Sequence, residues 1–299
     1  MHGGGSHGTA AAKHSTRLAI ALAMTATYMV AEIVGGLITG SLALLADAAH
    51  MATDVVGLGL ALLAIRFAAR PATPQRTYGF LRMEVLSALT NAVILLLLTI
   101  YIIYEAYQRF LAPPEILSGP MLIVALIGLA VNLVSMWLLM DGSKESLNVK
   151  GAYFEVLGDM LGSVGVIAAS LIIMFTGWQL ADPLIGAGIG LFIVPRTWIL
   201  LKQAVNILME ATPANVDVEK MTATLGTIPG VTAVHDLHVW TITSGTDAMS
   251  GHLVVQDASR WREVLREAQT RVRKEFGIDH VTIQVEDEAM RSAEAQLGF

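Results

Sequence analysis

The run ALLADAAHMATDVVGL, residues 43–58, places Asp47, His50 and Asp54 inside an otherwise apolar stretch. Taken to its apolar limits, about 42–67, that stretch has the roughly 20 residues a helix needs to cross a bilayer. An ionisable group there costs a few kcal/mol unless it is partnered, so the helix must turn these side chains toward something that holds them. A second run, YFEVLGDMLGS at 153–163, carries Glu155 and Asp159 in the same way. His50 and Asp54, like Glu155 and Asp159, stand four residues apart, which puts each pair on one helix face. Brought together, the two faces offer one imidazole and three carboxylates, the number a tetrahedral Zn²⁺ or similar divalent ion takes. Asp47 shares a face with Asp54 two turns away, and both a helix-packing and a proton-handling role are open to it. Glu32 and Glu84 are expected to pair with polar neighbours, and Asn91 and Asn132 to hydrogen-bond between helices.

Outward from these runs the chain reads as a membrane protein. Of 299 residues 54% are hydrophobic and 15% charged, against the roughly 25% charge of soluble domains. Cysteine is absent, which excludes disulfide scaffolds, thiolate metal sites and cysteine nucleophiles. Six stretches are long enough to span: about 17–39, 42–67, 83–106, 119–140, 152–176 and 183–204. The first is not expected to be a cleaved signal peptide, because five more follow it. Lys13 and Arg17 precede span one, Arg66, Arg70, Arg76 and Arg82 lie between spans two and three, Lys144 and Lys150 between four and five, and Lys202 after six. The opposite loops hold only Arg109. Both termini are therefore expected in the cytoplasm. The net charge of −6 sits wholly after residue 205, where fourteen acidic residues face eight basic ones. An acidic tail of that kind offers nucleic acid no footing.

That tail reads as a small soluble domain over 206–292, after a disordered His-containing arm at 1–16 and a six-span domain at 17–205, with a terminal stretch at 293–299. Val216–Ile228 suits a short helix ending at Pro229-Gly230. Val231–Thr243 and Met249–Asp257 suit strands, Ser259–Phe276 a charged helix stopped at Gly277, and His280–Glu286 a third strand. The expected fold is an all-α six-helix transmembrane domain with a C-terminal α+β, ferredoxin-like αββαβ module. Strand alternation puts His280, Gln284 and Glu286 on one face, opposite Val281, Ile283 and Val285. His252 belongs to a neighbouring strand, and His235 and His238 point to opposite faces if their strand is regular. Imidazoles gathered around Glu286 make a second candidate metal site. His2, His7 and His14 read as solvated, or as an arm that captures metal.

In these residues the chain resembles the cation diffusion facilitators, exporters of zinc and related divalent cations, and within them the bacterial cobalt–zinc–cadmium resistance type. The resemblance rests on SLALLADAAHMATD (41–54), RTYGFLRMEVLSA (76–88), SLNVKGAYFEVLGDMLGSVGV (146–166), HDLHVW (235–240) and HVTIQVE (280–286). It implies a transport site at His50, Asp54, Glu155 and Asp159, and cytoplasmic sites at His235, His252 and Glu286 with His280 nearby. It favours His235 over His238, whereas strand periodicity favours His238. It further implies a homodimer joined through the tails, metal–proton exchange by alternating access, and a bacterial inner membrane. Many zinc-selective members carry His where Glu155 stands here, so this harder, more anionic site admits Co²⁺, Cd²⁺ or Ni²⁺ beside Zn²⁺. The loop between spans four and five lacks histidine, and that between two and three lacks histidine and aspartate.

Exchange follows from shared ligands: a bound dication requires deprotonated carboxylates and neutral imidazole, so metal and protons displace one another. Spans two and five are expected to rock against their neighbours, with Gly57, Gly59, Gly158 and Gly162 at close helix contacts. No prosthetic group is implied; lipid, protons and the metal are the partners. An intramembrane aspartyl protease using Asp54 and Asp159 is the enzymatic rival. It lacks a Gly-x-Gly-Asp run and leaves His50 and Glu155 without a use. No HExxH motif is present for a zinc protease, and the 6% aromatic content is sparse for an exporter of organic cations. A membrane metal sensor that does not transport would have no need of the intramembrane quartet. Metal export, not an enzyme, is the expectation.

Overall fold

The structure, a computed structural model, describes residues 15–68, 70–141, 143 and 147–295. His2, His7, His14, Lys13 and Lys144, the arm up to residue 14 and the last four residues of the chain lie outside them. Six long helices come first: α1 (Ser15–Thr39), α2 (Leu42–Ala68), α3 (Met83–Leu111), α4 (Ser118–Leu139), α5 (Leu147–Thr176) and α6 (Ala181–Leu208). Among the described residues five of them, all but α2, are long and apolar enough to cross a membrane. Helix α2 has comparable length but is the one that carries Asp47, His50 and Asp54.

The chain divides into two compact units, one running to Leu60 and resuming over Thr90–Ile199, the other made of Ala61–Leu89 and the chain from Leu200 onward. In the first, α4 packs along α5 and α1. Ala43 and Leu44 of α2, Met121 and Ala125 of α4, and Val166 and Ala169 of α5 share one core there. A sharp turn joins α1 to α2, with Gly40 at φ +74°, where only glycine is unstrained. Ser41 then caps α2, its Oγ accepting from the Leu44 N–H at 3.1 Å. The Asp182 carboxylate at the start of α6 also accepts there, from Ser41 Oγ at 2.5 Å and from the backbone N–H of Leu42 at 2.7 Å and Ala43 at 3.2 Å. Those orphan N–H groups are the ones a helix N-terminus must satisfy.

In the second unit α7 (Val218–Gly226) is capped by Asp217, whose Oδ1 accepts from the Lys220 N–H at 3.0 Å. Strands β1 (Val231–Thr243) and β2 (Thr246–Val255) form an antiparallel hairpin, and β3 (His280–Glu286) lies parallel to β2, in the order β1-β2-β3. The crossover from β2 to β3 is a 3₁₀ turn (Ala258–Arg260), α8 (Trp261–Arg271) and a π turn (Val272–Phe276). Met221 and Leu225 of α7 and Val264, Ala268 and Val272 of the crossover bury against Val239, Met249 and Leu253. Both helices therefore cover one face of this small mixed sheet and leave its other face for polar side chains.

Three local expectations change. Strand β2 begins at Thr246 rather than Met249, because Gly245 at φ +75° closes the hairpin and pairs Thr243 with Thr246. The helix expected over 259–276 is a composite of three helical geometries. A further helix, α9 (Glu288–Ala295), follows β3, in a stretch too polar for the apolar pattern to announce it.

Candidate metal centres

In the first unit, Asp54 of α2 and Glu155 and Asp159 of α5 line one cavity of about 60 Å³, walled by Ala21, Thr25 and Leu139. His50 stands a turn back from Asp54, its Nε2 3.8 Å from Asp54 Oδ2. Its buried Nδ1 has no hydrogen-bond partner among the described residues, nor has Asp159 Oδ1. Burial grades across the group: Asp159 is 4% exposed, while the Asp54 and Glu155 side chains are 32% and 39% exposed. One end of the cluster is open and the other closed. Chemically it is an oxygen-rich donor set with one imidazole, suited to a borderline divalent cation.

Asp47 does not join that cavity. Its buried carboxyl faces that of Glu32, which in turn accepts from the Tyr28 hydroxyl at 2.6 Å. The carboxyl lies where a side chain at position 162 would be: a Cβ on Gly162 would come within 2.5 Å of Asp47 Oδ1. Gly57 has a comparable use, since a Cβ there would meet the Asn91 amide at 2.7 Å. Gly59 and Gly158, by contrast, face nothing within 4 Å, so the close contacts expected at those two positions are not present. Asn132 donates to Ser163 Oγ at 3.3 Å across α4 and α5.

Two charged residues went unflagged in the sequence. Arg196 of α6 reaches Glu155, Nη2 to Oε1 at 2.9 Å. Asp182 is fully buried, with Arg109 Nη1 3.6 Å from its Oδ2; Arg109 also donates to the Gly40 carbonyl. The signal that singled out Asp47, an ionisable group within an apolar span, marks Arg196 equally well.

In the second unit, single ligand atoms of His235, His252 and Glu286 come within 4.8 Å of one another. His235 Nε2 contacts Glu286 Oε1, and His252 Nδ1 lies 3.6 Å from Oε2. The cause is sheet register. His235 pairs with His252, which pairs with Gln284, while Glu286 pairs with Val254 two residues along, on the same face. Strand β1 is not regular here. One extra residue lies between His235 and His238, and Asp236 takes φ +49°, a β-bulge of the kind that re-aims side chains. The bulge cancels the alternation that would oppose the two histidines. His238 is 64% exposed and bonds Asp236 instead, Nε2 to Oδ1 at 2.8 Å. That hydrogen bond, foremost, holds the Asp236 carboxyl below the usual carboxylate range. His280 sits at the far end of β3, six residues or about 20 Å from Glu286, its ring 5.6 Å from that of Tyr78. It is thus not brought into the cluster. Glu84 pairs as expected, accepting from Thr243 Oγ1 at 2.8 Å.

With this geometry in view, the chain compares directly with known transporters. Residues 18–209 match the cation efflux transmembrane domain and residues 213–288 the cytoplasmic domain of cation efflux proteins. The chain belongs to the cation efflux family, the zinc, cobalt and cadmium exporters, and is a metal cation transporter rather than an enzyme. It is 50% identical over 283 residues to the metal cation efflux system protein CzcD of Cupriavidus metallidurans, covering 94% of this chain and 90% of that protein. A cadmium, cobalt and zinc/H(+)-K(+) antiporter of Bacillus velezensis is 41% identical, with 96% and 93% covered. The zinc transporter ZitB of Escherichia coli is 42% identical, with 91% and 88% covered. A solved structure, the metal-bound C-terminal domain of the CzcD transporter, aligns with 24% of this chain and 99% of its own at 38% identity and a TM-score of 0.22.

Proposed function

We propose that the chain exports divalent metal cations, Zn²⁺ foremost with Co²⁺, Cd²⁺ and Ni²⁺ admitted, from the cytoplasm in exchange for protons. Helices α1–α6 are the six spans, with both termini cytoplasmic in a bacterial inner membrane. The working unit is a homodimer joined through the tail domains, of which 206–292 forms one copy and 17–205 the transport domain. His50, Asp54, Glu155 and Asp159 hold the metal in transit, Asp47 handles protons beside them, and His235, His252 and Glu286 bind metal in the cytoplasmic domain.

The observation that carries this reading is the convergence of Asp54, Glu155 and Asp159 on one cavity, with His50 adjoining. A dication entering from the exposed Asp54–Glu155 side loses water as it gains carboxylate oxygens and the imidazole nitrogen. Binding requires those groups without their protons, and protons arriving from an acidic exterior free the ion again. Alternation between two accesses makes that competition a cycle. The Bacillus velezensis relative, named a cadmium, cobalt and zinc/H(+)-K(+) antiporter, supports the same chemistry.

The test is Zn²⁺ uptake into acid-loaded proteoliposomes with internal pH recorded. Zn²⁺ entry coupled to proton exit, lost in Asp54→Ala and in Asp159→Ala, is the expected result. Undiminished flux in either variant removes the site assignment, and Zn²⁺ flux without any pH change removes the antiport.

A further inference from the structure

We propose that Arg196 is a tethered counter-cation that matches the transport site's charge to that of a divalent ion, and so sets its affinity and its preference among metals. The inference rests on the transport-site reading above. With a neutral imidazole, Asp54, Glu155 and Asp159 give that site a formal charge of minus three, one more than a dication cancels. Excess negative charge strengthens binding of any cation, but it also holds the ion back from leaving and favours harder ions over borderline ones. The Arg196 guanidinium, 2.9 Å from Glu155, brings the total to minus two. Arginine is not deprotonated in proteins, so this correction persists through every step while the carboxylates and His50 exchange protons.

The charge is felt by the whole set, but direct contact falls on one ligand. The guanidinium engages Glu155 through Oε1 and forms no hydrogen bond to Asp54 or Asp159 among the described residues. Glu155 therefore becomes the weak donor of the set, leaving Asp54, Asp159 and His50 as the strong ones. Arg196 follows Pro195, which interrupts the α6 hydrogen-bond ladder and gives the backbone local freedom. Its side chain is 60% exposed, so it has room to yield when an ion draws on Glu155. A metal that binds Glu155 fully must move Arg196; one content with three strong ligands need not. Arg196 is accordingly a specificity-determining residue that acts through Glu155.

The test is a double-mutant cycle on the full-length chain in proteoliposomes, reading half-saturating Zn²⁺ and Cd²⁺ and maximal flux. Arg196→Gln is expected to lower half-saturation by about tenfold and to slow maximal flux, as an uncancelled charge beside the ion does. Arg196→Lys, which keeps the charge, is expected to remain near wild type, and it separates charge from folding. Glu155→Gln alone leaves Arg196 facing the ion and is expected to raise half-saturation by about tenfold. In Glu155→Gln/Arg196→Gln the site again totals minus two, and half-saturation is expected to return to within about threefold of wild type; a purely structural arginine leaves it as raised as in Glu155→Gln alone. A double variant as raised as Glu155→Gln alone, or an Arg196→Gln chain with wild-type half-saturation for both metals, overturns the proposal. If Asp54→Ala loses flux while either of those results is found, only the role of Arg196 fails. If Asp54→Ala transports fully, the site beneath it fails.

Discussion

Asp182 shows how much a single buried charge can hold. It accepts three hydrogen bonds at the start of α2 and faces Arg109 of α3, so three helices meet at one carboxylate. Asp182→Ala strands the Leu42 and Ala43 N–H groups and takes from Arg109 one of its two carboxylates, Glu105 remaining at 3.0 Å. Loss of one partner of a buried pair costs about 3–5 kcal/mol, and the melting temperature in detergent is expected to fall accordingly, with Asp182→Asn falling less. Glycines make a second contrast. A Cβ at Gly128 would lie 1.9 Å from the Tyr28 hydroxyl, whereas one at Gly158 meets nothing within 4 Å. Gly128→Ala is expected to destabilise by about 1–3 kcal/mol, as overpacking does, and Gly158→Ala to stay within about 0.5 kcal/mol of wild type. Thermal unfolding of the two variants side by side checks this.

At the scale of elements the informative object is the bulge in β1. Regular alternation sets His235 and His238 on opposite faces and, from sequence, slightly favours His238 as the ligand. The extra residue and the left-handed Asp236 put His235 against Glu286 and leave His238 exposed. Zn²⁺ titration of the purified chain is therefore expected to lose the cytoplasmic binding step in His235→Ala and to keep it in His238→Ala; the opposite pattern removes His235 from the set. Nothing in VHDLHVW announces the bulge, since its signal is a backbone angle at an aspartate, a residue that tolerates φ > 0 better than most. The strand itself was legible from its β-branched run, and so were the i,i+4 pairs in α2 and α5. What the spacing did not carry was reach: His280 lies on the expected face of β3, yet at the wrong end.

Over the whole molecule, helical spans precede a mixed-sheet domain whose core is its own, made of α7, the crossover and the sheet. A metal ion held by His235, His252 and Glu286, as proposed, would tie β1, β2 and β3 together across the face that the helices leave open. An ion that binds only the folded state adds about 2.7 kcal/mol at a hundredfold excess over its Kd. Chelation is expected to lower the melting temperature of the cytoplasmic transition in wild type and to leave Glu286→Gln unmoved. A chelator effect of equal size in Glu286→Gln places that stabilisation elsewhere.

The amino-acid sequence by itself determined the long apolar helices, the strand and helix order of the tail as far as β3, and the i,i+4 pairs of ionisable residues, because hydrophobic period and the rarity of charge in lipid act along the chain. Tertiary structure alone decided which charges meet: Arg196 on Glu155, Asp182 beneath α2 and Asp47 against Glu32. Those outcomes depend on helix rotation, which is set by packing between segments distant in sequence, and no local pattern encodes them.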